Sequence, residues 1–112
     1  KGGYFGGRKA EDGRIDWRQS AAQIHNLIRA VAPPYPGAFA DLNGQRMLVL
    51  RSRHVAADGL PEFTLPTLFV HREQIYLQAG DGRYLQLLQL QLAQQAVDAT
   101  TFVSHFGAVF TL

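Results

Sequence analysis

Residues 36–53 read Pro36-Gly37-Ala38-Phe39-Ala40-Asp41-Leu42-Asn43-Gly44-Gln45-Arg46-Met47-Leu48-Val49-Leu50-Arg51-Ser52-Arg53, and this stretch decides the fold. Two mainly apolar runs flank an Asn-Gly pair. A two-residue hairpin turn whose twist matches that of its strands needs positive φ at both central residues, which asparagine and glycine tolerate best. The stretch therefore predicts strand, tight turn, strand. Just upstream, Pro33-Pro34 ends any preceding helix, because proline lacks the amide donor and its ring clashes with the turn before it.

That helix is legible too. Ser20 and Gln23 form the capping-box pattern, in which the hydroxyl accepts from a first-turn amide and the glutamine side chain accepts from the cap. Ser20 is therefore read as a cap rather than a nucleophile. Ile24, Leu27, Ile28 and Val31 recur at i, i+3, i+4 and i+7, one apolar stripe. The spacing predicts a helix over residues 20–31. Pro34 and Pro36 then fix the reversal into the first strand, and Gly37 supplies a φ that other residues resist.

Toward the C-terminus, residues 55–66 hold Asp58-Gly59, Pro61 and Pro66 and read as a loop. Strands are expected over residues 67–71, 74–78 and 83 to about 91, with turns at Arg72-Glu73 and Gly80-Asp81-Gly82. In the last of them Leu85 and Leu87 share one face while Leu88, Leu90 and Leu92 share the other. Such a change of phase predicts a bulge between Leu87 and Leu88, the device by which strands bend around a small barrel. Finally Asp98, the Phe102–Phe106 pair and Gly107 give a cap, an i, i+4 contact and a stop: a short closing helix. The fold class is β-rich α+β. Its expected form is a small open five-stranded antiparallel OB-like barrel, preceded by one helix and closed by a short C-terminal helix. An open sheet with two helices on one face is the competing architecture.

The chain has 112 residues, enough for one domain. It has no cysteine, which excludes disulfide scaffolds, thiolate nucleophiles and cysteine-bound zinc. Its apolar runs are far shorter than the ~20 residues that span a bilayer, so no membrane helix is expected. It opens on Lys1-Gly2-Gly3 and its one methionine is Met47, as in an excised or processed piece, and no secretory signal is visible. Charge is uneven. Residues 1–54 hold nine Lys/Arg against four Asp/Glu, whereas residues 55–112 hold two against five. The basic half is the one to meet an anion such as a phosphate, a nucleotide or RNA.

Residue chemistry alone assembles no active site. His25, His54, His71 and His105 show no metal-ligand spacing and no triad partner, so structural or surface roles are expected and no metal. Arg29 is placed to pair with a nearby acid. Glu11, Asp12 and Asp16 lie close together in a polar stretch that needs no catalytic explanation, and Asp81 reads as a turn residue. Residues 1–14 are glycine-rich and polar, a linker or arm. Within them Gly6-Gly7-Arg8-Lys9 sets two cations on permissive backbone beside Tyr4 and Phe5. Such a segment suits a diphosphate, Arg8 by forked hydrogen bonds and Lys9 as a point charge.

Three segments together carry a resemblance: Tyr4 to Trp17, with Phe5-Gly6-Gly7-Arg8-Lys9 and Ile15-Asp16-Trp17; His25-Asn26-Leu27-Ile28-Arg29-Ala30; and Pro34-Tyr35-Pro36-Gly37-Ala38-Phe39. They resemble the C-terminal region of the formyltransferases that use 10-formyltetrahydrofolate, the group containing methionyl-tRNA formyltransferase and UDP-4-amino-4-deoxy-L-arabinose formyltransferase. The glycine-rich arm is more similar to the sugar-nucleotide branch than to the lysine-richer tRNA branch.

The resemblance implies an OB-like domain over residues 15–112. It also implies that the formyl-transfer centre and the 10-formyltetrahydrofolate pocket belong to a preceding N-terminal catalytic domain, so this chain alone is expected to be inactive and to hold no catalytic residue. His25 and Asp16 match the helix start of the C-terminal domain, not a catalytic pair. On this reading Tyr4, Phe5, Arg8 and Lys9 are the substrate-binding candidates, for a sugar nucleotide, and the enzyme is cytoplasmic. The alternative is a tRNA-binding domain of a methionyl-tRNA formyltransferase-like enzyme. A homo-oligomer is left open. Ile15 and Trp17 are expected to anchor the arm.

Overall fold

The computed structural model describes residues 13–112. In chain order these form α1 (Ala21–Ala30), β1 (Ala38–Leu42), β2 (Gln45–Val55), β3 (Thr67–His71), β4 (Gln74–Gln78), β5 (Tyr84–Leu92), β6 (Gln95–Ala96), α2 (Ala99–Phe106) and β7 (Val109–Thr111). The strands pair in the order β1-β2-β5-β4-β3-β7, with β6 on β5, and every strand pairing is antiparallel. β1 and β7 lie at opposite ends of this path. The sheet is thus curled but open, a half-barrel of OB-like form.

Its curl comes from β2 and β5. Val49 faces Leu90 and Arg51 faces Gln89, which leaves Leu50 unpaired; Ser52 then faces Leu87, which leaves Leu88 unpaired. Two opposed bulges increase the local twist and bend both strands. The phase change seen in the sequence at Leu87–Leu88 is one of them. Its effect is to keep Leu85 and Leu87, and then Leu90 and Leu92, in the core while Leu88 is 41% exposed.

Both helices bury one face in that core. Ser20 caps α1 by accepting from the Gln23 amide while Gln23 Oε1 accepts from the Ser20 amide. Ile24 and Ile28 then pack inward, and the stripe continues into Val31. Asp98 caps α2 by accepting from the Thr101 amide. Phe102 and Phe106 enter the same cluster as Ile24 and Ile28.

The strand count departs from the sequence expectation. Among the described residues β6 and β7 add two and three residues to the five expected strands, and the chain continues past α2 rather than ending on it. Neither addition is long enough to show a period of two. The turn before β6 also lacks the usual residues: Ala93 (φ 50°) and Gln94 (φ 68°) make a two-residue turn with positive φ, as Arg72 (φ 49°) and Glu73 (φ 65°) do between β3 and β4. Only Asn43-Gly44 (φ 50° and 80°) has the residues this geometry favours. An L-residue in the left-handed region costs roughly 1–2 kcal/mol, less for asparagine and nothing for glycine. Replacing Arg72-Glu73 by Asn-Gly is therefore expected to stabilise the domain by about 1 kcal/mol, seen as a higher urea midpoint at unchanged slope.

Candidate functional site

Residues 14–18 precede α1, and three contacts hold them. The Ile15 amide donates to the Phe39 carbonyl at 2.9 Å, beside a parallel bridge between Arg14 and Phe39. The Ile15 side chain is buried in the core, with Trp17 partly buried against it. Third, two guanidiniums lie over the Phe39 ring, Arg46 at 4.1 Å and Arg14 at 4.8 Å from its centroid. Asp41 accepts from both arginines, at 3.4 Å and 3.3 Å. Ile15 and Trp17 are thus apolar anchors of residues 14–18 on the core, while the Arg14–Phe39–Arg46–Asp41 cluster has no local signal, since its members come from two segments.

Glycines permit the close approach of this segment to the sheet. A Cβ on Gly13 would lie 2.6 Å from the Gly37 carbonyl oxygen, and Gly37 itself has φ +97°. On the other flank the turn between β4 and β5 closes on the start of α1. The Gly80 amide donates to the Gln19 carbonyl at 3.0 Å. Asp81 Oδ1 accepts from the Ala21 amide at 3.2 Å and the Arg83 amide at 3.1 Å. Asp81 is therefore more than a turn residue. It satisfies a free N–H at the first turn of α1, sixty positions away in sequence.

Beside this junction is a groove of about 640 Å³ lined by Trp17, Leu65, Pro66 and Leu112, with Arg14 and Arg18 at its rim. Asp16 is its only described carboxylate. The Arg18 side chain, and then the Arg18 amide, hydrogen-bond that carboxylate and lower its pKa from the ordinary value. An acid so held stays ionised at neutral pH and makes a weak proton acceptor. The groove's lining is mainly apolar, with the charged side chains of Arg14, Asp16 and Arg18 among it.

A family model described as formyl transferase, C-terminal domain, matches residues 8–107. The chain belongs to this family. The match takes in the end of the arm, both helices and all strands except β7, so the open half-barrel is the fold of the formyl transferase C-terminal domain here. Of the residues singled out as substrate-binding, Tyr4, Phe5, Arg8 and Lys9 all lie outside the described residues. Among the described residues no helix is long and apolar enough to cross a membrane, and no three His, Cys, Asp or Glu gather as a metal site.

The histidines divide. His105 sits in the last turn of α2, where a cation suits the helix dipole. His25 is half-buried, and its Nδ1 shares a 2.7 Å hydrogen bond with Ser52 Oγ on β2. The His54 ring meets it edge to face, centroids 4.6 Å apart. Burial, then His54, then Arg29 lower the His25 pKa, so the ring is neutral at pH 7. Among the described residues no acid pairs with Arg29: the ion pairs between described side chains are Arg14–Asp41, Arg18–Asp16 and Arg46–Asp41.

Proposed function

We propose that this formyl transferase C-terminal domain is the non-catalytic module of a cytoplasmic enzyme that moves a formyl group from 10-formyltetrahydrofolate to the amine of a sugar nucleotide. The family match over residues 8–107 carries the reading. The chemistry is attack by a neutral amine on the formyl carbon, which calls for a general base near neutral pKa and donors aimed at the developing oxyanion. The family match, with the resemblance of the chain's segments, implies that formyl donor and reaction centre belong to a preceding N-terminal domain.

In this proposal residues 1–14 are the interdomain arm and residues 15–112 the module that anchors it. Tyr4, Phe5, Arg8 and Lys9 reach the sugar nucleotide, the guanidinium and ammonium on its diphosphate and the rings beside it. The groove at Trp17, Leu65, Pro66 and Leu112 seats the catalytic domain. The glycine-rich arm supports the sugar-nucleotide branch over the tRNA branch.

The test is formyl transfer by the full-length enzyme to amino-sugar nucleotides and to aminoacyl-tRNA. Turnover is expected with the sugar nucleotide only, and none by the 112-residue chain alone. Arg8→Ala and Lys9→Ala are each expected to raise KM for the sugar nucleotide about tenfold, the loss of one charge-assisted hydrogen bond. Tight, steeply salt-dependent binding of tRNA with formylation of its amino acid would overturn the substrate in favour of the tRNA branch. Turnover by the isolated chain would overturn the division of labour.

A further inference from the structure

α1 lies against β2, and between them runs a groove of about 390 Å³ lined by His25, Ile28, Arg29, Leu50, Arg51 and Ser52. In an unbroken strand three consecutive side chains cannot share a face, because successive residues alternate. Here Leu50 is unpaired and the register shifts on both sides of Arg51. The bulge is what brings Leu50, Arg51 and Ser52 into one groove. Ile28 and Leu50 are nearly fully buried and form its apolar base, while the polar groups come from both elements.

Every ionisable group of this groove is a base. Arg29 and Arg51 have no carboxylate partner among the described residues. The charged neighbours that act on His25 are His54 and Arg29, both bases. Beyond His54 the adjoining groove is lined by Arg83 and Tyr84, and the acid felt there is Glu62, which acts on Tyr84 and is not among the causes acting on His25. Positive charge gathered by a bulge over an apolar base, with no carboxylate paired to Arg29 or Arg51 among the described residues, favours an anion.

We propose that this groove is a phosphate site, in which the Arg29 and Arg51 guanidiniums and the His25–Ser52 pair hold the phosphoryl group of a small phosphorylated molecule. Guanidinium forks match phosphoryl oxygens two at a time, and the imidazole and hydroxyl add neutral donors. That is more donor capacity than the two oxygens of a carboxylate use. The charges converge on one groove between one helix and one strand rather than running as a stripe, and the chain's net charge is only +2. A single phosphoryl group fits that pattern better than the backbone of a nucleic acid.

The test is an NMR titration of the 112-residue chain at constant ionic strength with inorganic phosphate, glycerol 3-phosphate and a short single-stranded RNA. Saturable shifts are expected with both phosphates, confined to the His25 and His54 ring signals and the amides of Arg29, Arg51 and Ser52. Arg29→Gln and Arg51→Gln are each expected to weaken binding about tenfold, and Arg72→Gln, in the β3–β4 turn, to leave it unchanged. These are exposed side chains, so the fold is kept and an unchanged spectrum elsewhere verifies it. With sulfate, whose charge is constant through the imidazole range, affinity is expected to rise as the pH falls, because the anion favours the protonated His25. The site is refuted by shifts that never saturate, by shifts that persist in the Arg29→Gln/Arg51→Gln double variant, or by response to RNA alone. None of these outcomes depends on which amine the whole enzyme formylates.

Discussion

Gly80→Ala is expected to destabilise the domain by about 3 kcal/mol or more, the upper range of overpacking effects. A Cβ built on Gly80 stands 1.8 Å from the Arg18 carbonyl oxygen and 2.4 Å from its carbon. Those are backbone atoms, and no rotamer change moves them. Relief requires the β4–β5 turn to withdraw from the start of α1. That withdrawal breaks the Gly80 to Gln19 hydrogen bond and the Asp81 bond to the Ala21 amide with it. Gly59→Ala is the control. Gly59 has φ +76° with nothing within 4 Å of the added atom, so only the dihedral cost of about 1 kcal/mol applies. Urea unfolding of the two variants separates space from backbone strain. Equal midpoints would show that the turn and the helix start yield easily, and the interlock described here would fall.

Phe102→Ala is expected to cost about 3–5 kcal/mol, the range for emptying a fully buried aromatic site. That is a large part of the ~5–15 kcal/mol that holds a domain of this size. Phe102 is fully buried in the common core, with the Phe106 ring 5.1 Å away and Phe106 in turn 5.5 Å from Phe110 of β7. A helix of eight residues does not persist without tertiary packing. Losing Phe102 should therefore free α2 and β7 together. Hydrogen exchange read at the β7 amides checks this. Fast exchange at β7 with slow exchange kept in β2 and β5 is the expected pattern, and Val103→Ala, on the exposed face of α2, should stay within about 0.5 kcal/mol. Protection at β7 unchanged in Phe102→Ala would mean that the strand stands without the helix.

The same two regions show how far the sequence could be read. The α2 helix was legible because its cap, its aromatic pair and its stop lie within ten positions, where local chemistry decides the outcome. β7 was not, since three residues carry no period and their partners in β3, from Thr67 to Phe69, lie far upstream of Val109 to Thr111. The Gly80–Asp81 turn was legible as a turn and opaque as a clamp, because the atoms it touches belong to residues 18–21. Likewise Ser52 and His25 are unremarkable in the sequence, and a bond between them exists only because α1 crosses β2. Among the described residues Arg29 meets no acid, because which carboxylates reach that side of α1 is set by the fold and not by the helix's own sequence.

What residues near one another in the chain determine on their own is the set of longer elements, not β6 or β7. The capping box set the start of α1, Pro33-Pro34 its end, Asn43-Gly44 the first hairpin, and the leucine phase change the bulge in β5. Each is a matter of dihedral preference or side-chain period over fewer than a dozen residues. Tertiary structure alone decided which backbones touch at Gly80 and Gly13, which ring the Arg14 and Arg46 guanidiniums meet, and that Arg51 and Ser52 share a groove with His25. Those juxtapositions follow from strand order and from two opposed bulges, and such long-range packing energy leaves no trace in local spacing.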